Sequence, residues 1–187
     1  MRYSLLNPQP SDLTRMSAEH ALSYKMHLEV YFQSALVRGV LETNQDRLSN
    51  YLIVRQGEQV FSLKEANLEM FNRKPVSVGA DEYLVYLQEV LLIADLSTGG
   101  VRRGVEALQV QKDPTKAVLS VGPYLLHGKI HLRPGSAIHE LLMEKSQFLP
   151  VTEAILIDRA DVGQRTYLVN RTKIGFMSAI GDGLVEL

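Results

Sequence analysis

The residues with the sharpest chemical profile are His139-Glu140-Leu141-Leu142-Met143. The run begins as a zinc-protease helix begins, with a histidine followed by a glutamate that could serve as general base; the second histidine ligand should fall one turn later. Met143 stands in that place. A thioether is a poor ligand for Zn2+, so the run reads as a packing helix in which Leu141 and Leu142 form the apolar stripe. His127 and His131 make a second pair, on one face of an alternating strand, but Lys129 lies between them and repels a cation. That pair reads as a solvated strand face. The third candidate is Thr98-Gly99-Gly100-Val101-Arg102-Arg103-Gly104. Backbone amides of a glycine-rich turn can cradle an anion and arginine adds bidentate donors, so Arg102 and Arg103 are candidate anion contacts. The segment lacks the Gly-Lys-Ser/Thr ending of a nucleotide P-loop, and it stands where a linker is needed.

No Gly-x-Ser-x-Gly nucleophile motif occurs, and Glu153, Asp158 and Asp161 are scattered in expected turns. Cysteine is absent, which removes disulfides, thiol catalysis and Cys-ligated metal centres. No catalytic residue, cofactor or metal is expected. The 187 residues are 45% hydrophobic and 22% charged, the balance of an ordinary globular chain with room for a sizeable core. A net charge of −1 argues against a protein whose main task is gripping a nucleic-acid backbone. No apolar run approaches the roughly 20 residues that span a bilayer, and MRYSLLNPQPSDL at the start lacks a signal-peptide core. The expectation is a soluble, cytoplasmic protein with no membrane contact.

The elements that would position these residues are written twice. Gly128 answers Gly39 at an offset of 89 residues; Ile138, Leu141 and Leu142 answer Leu48, Tyr51 and Leu52 at 90. Phe148-Leu149 answers Val60-Phe61 and Thr152-Glu153-Ala154 answers Lys64-Glu65-Ala66, both at 88; Tyr167-Leu168-Val169 repeats Tyr83-Leu84-Val85 at 84. Each copy opens on a strand with a glycine on its inward face, Val37-Gly39-Leu41 and Leu126-Gly128-Ile130, where close approach of another backbone or a bend is implied. A short helix follows, capped by Asp46 or Ser136, and lays one stripe on the core. Residues 148–157 are a strand that Pro150 puts at an edge or a bulge, and 166–177 are a hairpin-like pair broken at Asn170-Arg171-Thr172-Lys173.

Taken in order, residues 1–24 are a lead-in and a helix from Ser11 or Asp12 with Leu13, Met16 and Ala21 inward. Residues 25–97 form the first β repeat, strand-like through 25–42 and mainly apolar through 83–96, with Val90, Leu91, Leu92 and Ile93 in sequence, read as a strand buried on both faces. Residues 98–113 are a linker with a connecting strand at 105–110, residues 114–180 the second repeat, and 181–187 a tail. The fold class is mainly β: two tandem small β-barrel or sandwich repeats, each with a short helix, plus an N-terminal helix.

Two resemblances follow. Gly128-Lys129-Ile130-His131-Leu132-Arg133-Pro134-Gly135, Ile138 to Leu142, and Phe148-Leu149-Pro150-Val151-Thr152-Glu153-Ala154 together resemble an uncharacterised bacterial family of small β domains of unknown function, over residues 124–177. Phe148 to Ala154 followed by Tyr167 to Met177 is similar to the two sequence blocks of Sm-like barrels, five-stranded proteins that form rings and bind RNA. That resemblance puts Asn170 and Arg171 in the nucleotide-contacting loop. No Arg-Gly pair follows the strand here, and Tyr86-Leu87 replaces Asn170-Arg171 in the first copy. The expected role is a non-catalytic interaction or regulatory module with a protein partner or further copies of itself. The alternatives are an Sm-like RNA binder and a small-ligand or anion binder, using Arg102, Arg103, Asn170 and Arg171.

Overall fold

The computed structural model describes residues 23–55, 57–71, 76–97 and 112–180. The expected N-terminal helix, the connecting strand at 105–110, the tail, and Arg102 and Arg103 lie outside the described residues. The strands are β1 (Tyr24–Tyr31), β2 (Ala35–Thr43), β3 (Val60–Met70), β4 (Ser77–Tyr86), β5 (Leu92–Asp95), β6 (Asp113–Val121), β7 (Tyr124–Leu132), β8 (Phe148–Leu156), β9 (Arg165–Asn170) and β10 (Ile174–Ala179). Helices α1 (Leu48–Val54) and α2 (Ile138–Met143) follow β2 and β7. The fold is mainly β, in one antiparallel sheet ordered β10-β6-β7-β8-β9-β5-β1-β2-β3-β4. Two tandem small barrel or sandwich repeats were expected. The sheet is instead continuous and open, because β5 pairs with β9, Leu92 opposite Val169, Ile93 opposite Leu168 and Ala94 opposite Tyr167.

Along the chain, the succession strand, strand, helix, strand, strand, 3-10 turn, strand runs through residues 24–95 and again through 113–179, where a further 3-10 segment, Ile157–Val162, precedes β9. Within each half the fifth strand lies beside the first and the rest follow in order. Local irregularities recur too. The β2–β3 register slips between Arg38 and Val40, and the β7–β8 register between His127 and Lys129. In each slip a glutamate holds a positive φ, 49° at Glu65 and 48° at Glu153, the left-handed backbone of a bulge that carries one extra residue. Opposite each bulge sits the glycine. A Cβ would come within 2.9 Å of the Ala66 Cβ at Gly39 and within 2.6 Å of the Ala154 Cβ at Gly128, so the close approach read from sequence is what excludes a side chain. The turns Leu87–Glu89 and Arg171–Lys173 are entered and left with similar angles, φ −82° and −71° in one, −68° and −72° in the other.

Two cores result. One gathers Met26, Leu28, Val30, Val37, Leu41, Leu63 and the α1 stripe Leu48, Tyr51 and Leu52, and it takes in Phe148 and Leu168 from the second half. The other gathers Leu119, Leu126, Ile130, Leu141, Leu149, Val151 and Tyr167, and it takes in Tyr31, Leu36, Leu92 and Ala94 from the first. Strand side chains alternate between faces, so β5 sends Leu92 and Ala94 into one core and Ile93 into the other.

Several local expectations are corrected. Residues 25–42 are a hairpin turning at 32–34, where the Phe32 N–H donates to the Ala35 carbonyl at 2.8 Å. Residues 83–96 are two strands divided by a 3-10 turn. β4 ends on an edge and β5 lies mid-sheet, so only the latter part is buried on both faces. β9 and β10 make no hairpin; β10 crosses to β6. Pro150 lies in the part of β8 beyond its last pair with β7, Lys129 opposite Thr152, so its missing N–H interrupts no ladder there. Neither expected cap forms: Arg47 and Ala137 occupy the N-cap positions without a side-chain bond, while Asp46 accepts from Asn50 at 3.1 Å. Leu141 is buried but Leu142 is 41% exposed, so α2 lays a narrower stripe than α1.

Candidate functional site at the joint between the halves

The β5–β9 joint concentrates the polar groups that could do chemistry. Glu29, on the β1 face that also carries Tyr31, has its side chain 6% exposed and its carboxylate in the middle of an ionic network. It accepts from Tyr31 Oη at 2.6 Å, from Arg38 Nε at 2.8 Å and from Arg165 Nη1 of β9 at 2.6 Å, which ties the two halves together. Burial opposes ionisation of Glu29, yet the hydrogen bonds from Tyr31 and Arg38 and the charges of both arginines outweigh it and hold the carboxyl below its ordinary range. Burial, then the Glu29 carboxylate, raise the Tyr31 hydroxyl far above its usual value. The rings of Tyr31 and Tyr167 meet edge to face at 5.9 Å and seal the cluster. Every charge in it faces an opposite one, so its role is cohesion across the joint.

A cavity of about 220 Å3 opens on the other side of the joint. Ser49, Leu52 and Ile53 of α1 form one wall; Phe148 and Pro150 of β8 with Leu168 of β9 form the opposite one. Arg171, Lys112, Glu144, Ser146 and Gln147 complete it. Arg171 is fixed from both ends: its backbone N–H donates to Gln147 at 2.9 Å and Nη2 donates to Glu144 at 2.8 Å. Its side chain is only 6% exposed, and Nε and Nη1 are buried with no hydrogen-bond partner.

Of the residues singled out from sequence, Asn170 and Arg171 are thus brought to the joint, but inward. Asn170 is fully buried; its Nδ2 donates to the Val90 carbonyl at 2.8 Å and its Oδ1 accepts from the Thr172 N–H at 3.2 Å, so it fastens the end of β9 to the first half. The expected solvated histidine face is half-buried and partnered: His131 Nε2 lies 2.8 Å from Thr152 Oγ1, and Lys129 pairs with Glu153 at 2.6 Å. His139 and Glu140 are exposed on α2. Among the described residues no group of three His, Cys, Asp or Glu could hold a metal ion, and no helix is long and apolar enough to cross a membrane.

Sequence reasoning missed Glu29, Arg38 and Arg165. Lys25, His27 and Glu29 alternate with Met26, Leu28 and Val30, the pattern of a strand with one wet face. The second half covers that face at Glu29, and nothing local to β1 announces it. No protein-family model, curated protein or solved structure matches the chain.

Proposed function

We propose that the protein is a non-catalytic interaction module built from two copies of one five-stranded, Sm-like unit, and that it assembles with further copies of itself by pairing β4 of one chain with β10 of the next. The support is a set of matched exposures. Leu168 and Leu92 at the internal joint are 7% and 0% exposed; their counterparts at offset 84, Leu84 on β4 and Phe176 on β10, are 65% and 55% exposed. Leu52 of α1 is buried beside Phe148, whereas its counterpart Leu142 of α2 lies open. These three side chains are uncovered where the chain offers the same surface without a neighbour, while Val85, the counterpart of Val169, stays buried in its own half. Among the described residues β4 pairs only with β3 and β10 only with β6, so each edge presents unpaired backbone groups, which proteins rarely leave with large apolar side chains beside them.

The register follows from the internal joint: Val85 opposite Phe176, Leu84 opposite Met177 and Tyr83 opposite Ser178. Such a contact is head-to-tail. It closes into a ring where the rotation between chains allows and continues as a filament where it does not. Sedimentation of the purified protein tests the reading. The wild type is expected to sediment as a multiple of the chain mass, and Leu84→Lys or Phe176→Lys, each at an exposed site, to shift it to monomer while leaving its circular dichroism unchanged. Val54→Lys, on α1 against the joint already filled, should leave assembly intact. A wild type that stays monomeric to about 100 μM, a weak affinity even by the scale of transient contacts, overturns it.

A further inference from the structure

We infer that the cavity beside Arg171 is a binding site for a small organic monoanion, a carboxylate carrying one ring or a short branched chain. A guanidinium taken from water normally finds partners for its N–H groups, and burying donors without them is costly. Arg171, which lines the cavity, has its charge almost fully enclosed, Nη2 committed to Glu144, and Nε and Nη1 buried without acceptors. A carboxylate entering the cavity supplies the missing acceptors once the guanidinium turns toward it.

Charge decides between anions. Arg171 and Lys112 bring two positive charges to the lining and Glu144 one negative, a local excess of one, which suits a monoanion better than a dianionic phosphate. Both walls are largely apolar, Leu52 and Ile53 on one and Phe148, Pro150 and Leu168 on the other, so the ligand's body is apolar too. The volume, about 220 Å3, exceeds the roughly 150 Å3 in which an engineered apolar cavity holds benzene, leaving room for one ring and a head group. In the first half the position corresponding to Arg171 is Leu87, which is buried, so among the described residues the basic site occurs once and belongs to the internal joint. Its walls come from both halves, and an occupant would add contacts between them. The inference does not depend on assembly through β4 and β10.

The test is a titration of the full chain with benzoate, followed by amide chemical shifts and by melting temperature, with benzamide as the uncharged isostere, inorganic phosphate as the dianion and a uridine-rich oligomer as the polyanion. Benzoate is expected to shift the Leu52, Gln147 and Arg171 amides saturably and to raise the melting temperature, while benzamide does neither. Arg171→Met should abolish the response. Because that side chain is buried and could be needed for folding, Ile53→Glu at the half-open rim provides the second variant: folded, and about tenfold weaker for benzoate because it adds a like charge beside the entrance. Leu84→Lys should bind benzoate as the wild type does, which separates failure of this site from failure of the assembly reading. The inference is overturned if benzoate does not saturate, if Arg171→Met or Ile53→Glu binds as tightly as the wild type, or if phosphate or the oligomer displaces benzoate as the preferred ligand.

Discussion

Replacing Glu29 by Gln keeps the size of the side chain and removes its charge, which makes it the sharpest probe of what holds the two halves in one sheet. Two of its hydrogen bonds come from arginines and one from a tyrosine, and bonds to charged groups contribute about 1.5–3 kcal/mol each. Full loss of a partner from a buried pair costs about 3–5 kcal/mol. Here Arg38 and Arg165 are 41% and 26% exposed and can regain water, which lowers the figure, and we expect about 2–4 kcal/mol at pH 7. For a chain of this size that is a fall in melting temperature of about 4–16 °C. Urea denaturation at a series of pH values provides the assay. The folded-state pKa of Glu29 is depressed, so its contribution is complete above the unfolded value, near 4.3, and is lost as pH falls through the lower folded value. The gap between wild type and Glu29→Gln should therefore hold steady from neutral pH down to about 4.3 and close below it. A variant within about 0.5 kcal/mol of wild type at pH 7, the scale of an ordinary surface change, or a gap indifferent to acid, would refute the assignment of this network to the joint.

Four further outcomes follow from the packing and the charge balance. Gly128→Ala should destabilise by about 1–3 kcal/mol, as overpacking does, because its methyl would meet both the Cβ of Ala154 and, at 2.9 Å, its Cα, and backbone cannot swing aside; calorimetry reads it. Leu141→Ala should cost about 2–5 kcal/mol in the melt. Leu142→Ala should cost under about 1 kcal/mol at low protein concentration and act instead on sedimentation, since only a neighbouring copy would cover that side chain. Uridine-rich and adenine-rich oligomers, titrated at two salt concentrations, should show no salt-sensitive binding, because Arg171 and Asn170 are turned inward and the chain carries no basic excess.

How much of this was legible in the sequence depended on whether the covering partner was local. The inward glycines were readable because Gly39 and Gly128 each interrupt an alternating apolar face, and the bulges opposite them explain why. Leu92, Ile93 and Ala94 were readable as buried on both faces from their unbroken apolar run. The turn within 83–96 was marked only by Gln88 and Glu89, both exposed, and was passed over because Leu87 and Val90 on either side are apolar and buried in the first core. The hairpin expected after Thr166 failed for a related reason: a 3-10 turn of three residues separates β9 from β10 and sends them to different neighbours. Asn170 and Arg171 were found only through their place after the Tyr-Leu-Val strand; their burial comes from Leu87, Val90 and Glu144, up to 83 residues away in the chain. Short-range pattern therefore located the residues and missed the direction in which they point.

The assembly reading is tested most directly by register. The chain contains no cysteine, so single cysteines can be placed without background. Leu84→Cys chains would be mixed with Phe176→Cys, Met177→Cys or Ser178→Cys chains and oxidised, and the rate of covalent dimer formation measured. Neighbouring strand residues point to opposite faces, so only one of the three can meet Leu84→Cys across the pair. The account predicts that Met177→Cys couples fastest, as the counterpart of Ile93 opposite Leu168. Equal rates for the three partners, or fastest coupling at 176 or 178, would contradict it.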